Sequence, residues 1–77
     1  MDKKLQKIID SIGAELKSAR LNARLTQAEI AEKVDSDTNY YAKLERGEVV
    51  PSLKLLIKLV ETLKIDYCDL FPMRSKK

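Results

Sequence analysis

The middle of the chain marks the beginnings and ends of two short helices. The segment Thr26-Gln27-Ala28-Glu29 is a capping box, in which the threonine and glutamate side chains satisfy free backbone amides at a helix start. Asp35-Ser36-Asp37 is typical of a turn, and Gly47 is typical of the left-handed residue that ends a helix. We therefore predict helices over Gln27–Val34 and Thr38–Arg46, joined by a tight turn.

Residue types within this pair fit that arrangement. Asp37 is a favourable N-cap for the second helix, and Asp35 tolerates the left-handed conformation that the turn requires. Apolar residues recur at helical spacing on both segments, and we expect the following ones to face inward: Ile30, Ala31, Val34, Tyr41 and Leu44.

Three further helices are predicted around this pair. A stripe of apolar residues at steps of three and four indicates an amphipathic helix from about Leu5 to Asn22. Gly13 lies inside this helix and weakens it by up to ~1 kcal/mol, which leaves a bend or a start near Ser11 as an alternative to the continuous helix. Asp66 is the predicted cap of a short last helix over Tyr67–Phe71.

The fourth helix begins after Ser52, which is its predicted cap. Its spacing predicts a core face that is widened on one side by Leu55 and Leu59. The residues assigned to the core face are Leu53, Leu56, Ile57, Val60 and Leu63.

No segment has the pattern of a β-strand, so the sequence predicts an all-α fold, a compact five-helix domain with a central helix-turn-helix. Residues 1–11 extend the first helix, residues 12–71 form the domain, and residues 72–77 form a basic tail. A domain of this size retains a stability margin of about 3–5 kcal/mol.

Composition excludes several classes of function. The chain has no histidine and one cysteine, Cys68, which excludes a disulfide and the common metal sites. We expect no cofactor, no metal, no small-molecule ligand and no enzymatic activity, since the sequence offers no activated nucleophile and no phosphate-binding glycine loop. The absence of long apolar runs and of a signal peptide predicts a cytoplasmic protein without a membrane partner.

Net charge mildly favours an anionic partner, because the chain carries +3 with a pI of about 9.1. The charge is unevenly distributed, and the segment 25–47 that contains the paired helices is acidic. This acidity supports an alternative function, an antitoxin-like or adaptor module that binds other proteins.

A characteristic set of residues lies before, within and after the paired helices. It consists of Leu16, Arg20, Leu25-Thr26-Gln27, Glu29, Ala31, Val34, Leu44-Glu45-Arg46-Gly47, Pro51-Ser52-Leu53 and Leu63. With these residues the stretch 12–71 resembles the Cro and phage-repressor helix-turn-helix family, often called the XRE family. The resemblance implies a transcriptional regulator, a repressor or controller, that binds double-stranded DNA. In that family the second helix of the pair enters the major groove, and dimers bind palindromic operators.

The resemblance also implies roles for individual residues. Side chains of the recognition helix would face base edges, namely Thr38, Asn39, Tyr40 and Lys43. Gln27 and Arg46 would bind phosphates, and Arg20 and Glu45 match positions that form an ion pair in several members. The chain departs from the family at Asp35 and Arg24, where glycine is common, and at Tyr41, whose hydroxyl needs a partner or a route to solvent.

Dimerisation would stabilise a core this small. The apolar residues that the core needs least are Leu55 and Leu59 of the fourth helix, together with Phe71. Leu5 and Ile8 are further candidates. We expect a homodimer interface on the fourth and fifth helices, whereas packing within one chain remains the alternative explanation for these residues.

Overall fold

Within the residues that the structure describes, the chain folds into four α-helices and one 3₁₀ turn. The structure, a computed structural model, describes residues 2–71, and the predicted basic tail at 72–77 lies outside the described residues. The elements in order are Lys3–Asn22 (α1), Gln27–Lys33 (α2), Thr38–Glu45 (α3), Leu53–Leu63 (α4) and the 3₁₀ turn Tyr67–Asp69. No strand occurs in residues 2–71, which confirms the all-α class. Of the helices described there, none is long and apolar enough to cross a membrane.

The predicted fifth helix over Tyr67–Phe71 is wrong, because this segment makes only one 3₁₀ turn. The amides of Asp69 and Leu70 donate to carbonyls three residues earlier, which is the 3₁₀ pattern. Pro72 follows directly and has no amide hydrogen to continue a helix. The turn nevertheless buries Leu70 completely in the core.

The N-terminal caps of α2, α3 and α4 are the predicted ones. In the capping box the Glu29 amide donates to Thr26 Oγ1 at 3.0 Å, and the Thr26 amide donates to Glu29 Oε1 at 2.8 Å. Asp37 accepts from the Tyr40 amide at 3.1 Å, and Ser52 accepts from the Leu55 amide at the same distance. These caps fix where each helix begins and therefore which side chains it presents.

α1 runs without a break through Gly13, so the structure confirms the continuous first helix and excludes the alternative of a bend or a start near Ser11. Gly13 is buried where α1 crosses the C-terminal end of α3. A Cβ atom on Gly13 would lie 2.6 Å from the carbonyl oxygens of both Leu44 and Glu45. The glycine therefore permits close approach of two helix backbones, a requirement that outweighs its low helix propensity.

Each helix is followed by a residue in the left-handed conformation. Asp35 has φ 58°, as predicted for the turn between α2 and α3, and Gly47 has φ 74° after α3. Arg24 after α1 and Lys64 after α4 adopt the same conformation, with φ 62° and 58°. A non-glycine residue pays about 1 kcal/mol for this conformation.

The core lies between α1, α3 and α4, with α2 packed on α3. Its fully buried large side chains are Leu16, Ile30, Tyr41, Leu44, Leu59 and Leu70. The predicted core face of α4 is partly wrong: Leu53 and Ile57 are 72% and 37% exposed. The apolar arc of α4 is wider than the surface on which it packs. The side of the arc with Leu59 is buried in the core, and the side with Ile57 is exposed.

Candidate nucleic-acid interface

The turn between α2 and α3 fixes how the two helices meet. The left-handed Asp35 reverses the chain, and the Ser36 amide then donates to the Ala31 carbonyl at 2.8 Å. Ala31 is 1% exposed, so the small side chain allows the helices to cross closely. The result is a rigid pair in which one side of α3 is buried and the other is open.

The open side of α3, which we call the outward face, consists of Thr38, Asn39, Ala42, Lys43 and Arg46. Thr38, Asn39, Lys43 and Arg46 are exposed and Ala42 is half-buried among them. Sequence reasoning missed Ala42, although its spacing from Asn39 and Thr38, three and four residues, places it on the same helical face. Three of the four side chains predicted to contact bases therefore lie together.

Tyr40, the fourth of those side chains, lies on the flank of α3. It is half-buried against the core, and its hydroxyl donates to the Val50 carbonyl at 3.3 Å. Because Tyr40 is rotated from Asn39 by about 100° around the helix axis, its side chain contacts the loop after α3 and does not lie on the outward face. In this structure Tyr40 therefore contacts that loop, and its contact with a base stays a prediction.

A buried carboxylate, that of Glu45, lies at the centre of the hydrogen bonds that hold α3 in place. Arg20 Nε donates to Glu45 Oε2 at 2.6 Å, and Arg20 Nη2 donates to Oε1 at 3.2 Å. Tyr41 donates its hydroxyl to Oε2 at 2.6 Å, and Gln27 Nε2 donates to Oε1 at 3.0 Å. The structure thus contains the ion pair that the resemblance implies, and it supplies the partner that the Tyr41 hydroxyl needs.

These bonds make Glu45 the point at which α1, α2 and α3 are joined. The side chains of Arg20 and Glu45 are only 10% and 3% exposed. Burial alone would raise the pKa of Glu45, but the bonds from Arg20, Tyr41 and Gln27 outweigh it and lower that pKa. Burial and the bond to Glu45 raise the pKa of the Tyr41 hydroxyl, so it stays protonated and keeps donating.

Arg46, the predicted phosphate ligand, is engaged by a neighbouring carboxylate. Arg46 Nε donates to Glu48 Oε2 at 2.8 Å, and Arg46 Nη2 donates to Glu48 Oε1 at 3.2 Å. Both side chains are about half exposed. The hydrogen bond between them raises the pKa of Arg46 and lowers that of Glu48. Sequence reasoning missed Glu48 because the contact depends on how Gly47 turns the chain.

The three predicted dimer-interface residues lie in different environments. Leu59 is completely buried in the core, so it is withdrawn as an interface residue. Leu55 is half-buried and packs against the core, whereas Phe71 is 37% exposed. Among the further candidates, Leu5 is exposed and Ile8 packs against the core.

A family model described as helix-turn-helix matches residues 16–70 of this chain. The chain belongs to this helix-turn-helix family. The family is of the Cro and phage-repressor (XRE) type, which confirms the resemblance drawn from the sequence.

Two solved helix-turn-helix structures are similar to this chain over 82% of its length, each with 30% sequence identity. One is the clp gene regulator ClgR from Corynebacterium glutamicum, matched over 67% of its chain with a TM-score of 0.76. The other is the restriction-modification controller protein C.AhdI from Aeromonas hydrophila, matched over 96% of its chain with a TM-score of 0.74. This chain therefore has the fold of DNA-binding regulators.

A third relative is multiprotein-bridging factor 1 from Candida albicans, which is 34% identical over 61 residues. The match covers 79% of this chain but only 40% of that protein. The helix-turn-helix is thus shared with proteins whose names describe gene regulation and with one whose name describes bridging between proteins.

Proposed function

We propose that this chain is a sequence-specific transcriptional regulator that binds a near-palindromic operator as a homodimer, with α3 in the major groove. One observation carries the proposal: Thr38, Asn39 and Lys43 lie exposed on one side of α3, whose opposite side is buried through Tyr41 and Leu44. The bonds of the buried Glu45 carboxylate hold the C-terminal end of the same helix. A helix held this rigidly loses little entropy when it docks into a groove.

The outward face of α3 has the chemistry needed to read bases. Asn39 can bind adenine N6 and N7 at once, and Lys43 can donate to guanine O6 and N7. Thr38 and Ala42 offer methyl groups that can contact the thymine methyl. Contacts of this kind discriminate between base pairs by about 1–3 kcal/mol each.

Gln27 is suited to fix the position of α3 on the DNA backbone. Its amide nitrogen carries two hydrogens, of which one is donated to Glu45. The other is left for a phosphate oxygen, and Gln27 lies in the first turn of α2, where helix amides and the helix dipole also favour an anion. The buried Glu45 therefore orients a phosphate contact as well as the recognition helix.

The homodimer would form through the exposed apolar residues of α4 and the chain end that follows it. Leu53 and Ile57 lie one turn apart on α4, are more exposed than the predicted Leu55, and replace the buried Leu59 in the proposed interface. Phe71 remains part of it. A two-fold axis there would let two copies of α3 reach half-sites about 34 Å apart.

Selection from a pool of random DNA duplexes tests this function. The wild-type protein is expected to enrich a near-palindromic sequence, with binding that weakens steeply as salt rises, because phosphate contacts release counterions. Replacing both Leu53 and Ile57 with lysine is expected to halve the mass measured by sedimentation. In the selection, this variant is expected to lose the enrichment of a near-palindromic sequence. A double replacement at exposed Lys17 and Ser18 of α1 serves as the control. Failure of the wild type to enrich any sequence would contradict the proposal.

A second candidate, a protein-binding adaptor that uses the helix-turn-helix as scaffold, has its own support. Arg46 is engaged by Glu48, and Asp35 and Asp37 are exposed beside the outward face. One relative is named as a multiprotein-bridging factor. If selection enriches no DNA even at low salt, this function is favoured.

A further inference from the structure

We propose that Glu48 attenuates the affinity of this protein for DNA of any sequence, by occupying the guanidinium of Arg46 that would otherwise bind a backbone phosphate. The inference rests on the proposed DNA-binding function and specifies how strongly its surface holds the phosphate backbone.

The backbone after α3 places Glu48 beside Arg46. Gly47, with φ 74°, turns the chain back over the last turn of α3, so its amide donates to Leu44 and that of Glu48 donates to Lys43. These two hydrogen bonds form a Schellman motif, which holds the residue after the glycine in a fixed place. Glu48 therefore begins beside the C-terminal end of the outward face.

The contact between Glu48 and Arg46 uses the same donors that a phosphate would use. Arg46 Nε and Nη2 form one edge of the guanidinium, and both donate to the Glu48 carboxylate. Arginine binds phosphate and carboxylate in this same two-pronged geometry. A DNA phosphate must therefore displace Glu48, or bind Arg46 from its remaining side with a carboxylate close by.

Glu48 also opposes the second cation of the outward face. Hydrogen bonding to Arg46 is the main reason for the low pKa of Glu48, and the charge of Lys43 contributes to it. The Glu48 carboxylate thus binds one cation of the outward face and feels the charge of the other.

The effect is expected to be modest and independent of base sequence. The pair is about half exposed, and pairs of this kind are held weakly and can be displaced. One additional phosphate contact at about 0.15 M salt is worth roughly fivefold in affinity by counterion release, and it steepens the logarithmic salt dependence by about one. Because a phosphate contact carries no sequence information, specific and random duplexes would gain equally.

The experiment measures the affinity of the full chain for a selected operator and for a random-sequence duplex of equal length, by fluorescence anisotropy at several salt concentrations. Glu48→Gln is expected to bind both duplexes about fivefold more tightly, with the salt slope steeper by about one. Glu15→Gln is the matched control, since it makes the same charge change in a cleft lined by residues of the segment Leu63–Asp69. Its effect on both affinities is expected to be small.

A second pair of variants identifies the group that Glu48 occupies. When Glu48→Gln is made in an Arg46→Gln background, the gain in affinity is expected to fall towards that of the control. Thermal unfolding of each variant checks that the fold is retained. The inference is overturned if wild type binds DNA and Glu48→Gln binds no tighter than Glu15→Gln, if the gain is confined to one sequence, or if it persists in full without Arg46. If neither wild type nor Glu48→Gln binds any duplex at low salt, the proposed function fails and the inference fails with it.

Discussion

Replacing Arg20 with methionine tests whether the buried ion pair holds α1, α2 and α3 together. The change keeps an apolar stem of similar length and removes the guanidinium. Two hydrogen bonds to Glu45 and one of 2.9 Å to the Leu25 carbonyl are lost. The Glu45 carboxylate, 3% exposed, would then be left with its bonds from Tyr41 and Gln27 alone.

The loss of stability follows from the charge that remains. Removing one partner of a buried pair costs about 3–5 kcal/mol, because the other charge stays buried without compensation. This equals the whole margin of about 3–5 kcal/mol expected for a domain of this size. Arg20→Met is therefore expected to be largely unfolded at 25 °C in buffer alone.

Urea unfolding followed by far-ultraviolet circular dichroism measures this loss, with a stabilising osmolyte added so that every variant has a folded baseline. A triple variant, Arg20→Met, Tyr41→Phe and Glu45→Leu, removes the charges and the buried hydroxyl together. Replacement of a buried pair by apolar residues of similar volume is often neutral. The free energy of unfolding of the triple variant is expected to lie within about 1–2 kcal/mol of the wild-type value.

Two results would refute this reasoning. A loss below about 1 kcal/mol in Arg20→Met would show that the pair behaves as an exposed salt bridge. A triple variant as unstable as Arg20→Met would show that the loss of stability does not come from the stranded Glu45 carboxylate.

Three further predictions concern stability, each measured by urea unfolding. Gly13→Ala is expected to destabilise by about 1–3 kcal/mol, because its Cβ would meet two carbonyl oxygens of α3; stabilisation would contradict the close crossing. Lys64→Gly is expected to stabilise by roughly 1 kcal/mol, because φ is 58° there; a loss would show that the left-handed conformation costs nothing. Since the pKa of Glu45 is lowered from 4.5 on folding, its contribution is complete above that pH and declines as pH falls through the lowered value. The triple variant without Glu45 should lack this acid dependence, and an unchanged acid dependence would assign it to other carboxyls.

Local features of the fold were predictable because they depend on neighbouring residues. Thr26, Asp37 and Ser52 cap their helices as predicted, since a cap needs only the right side chain two or three residues before a free amide. The left-handed Asp35 follows from turn chemistry in the same way. Gln27 and Glu45 were each identified, but only the fold shows that they touch.

Tertiary features were not predictable from periodicity. Gly13 reads as a weak point in a helix, and only the crossing with α3 shows why it is there. On α4, periodicity predicts an apolar arc but not which side of the arc packs on the core. Ile57 was therefore predicted to be buried and Leu59 to be available for an interface, whereas the structure shows the reverse. The helix expected over Tyr67–Phe71 failed because a competing 3₁₀ turn suffices to bury Leu70.

The most direct test of whether the outward face of α3 recognises DNA sequence is to measure whether Asn39 contacts a base. The measurement compares selections from random duplexes by wild type, by Asn39→Ala, and by Lys17→Ala as an exposed control on α1. Asn39→Ala is expected to lose the preference at one adenine in each half-site, by about 1–3 kcal/mol, and to keep its affinity for random DNA. If Asn39→Ala enriches the same sequence as wild type with the same preference at every position, α3 does not read bases through Asn39, which contradicts the role assigned to the outward face.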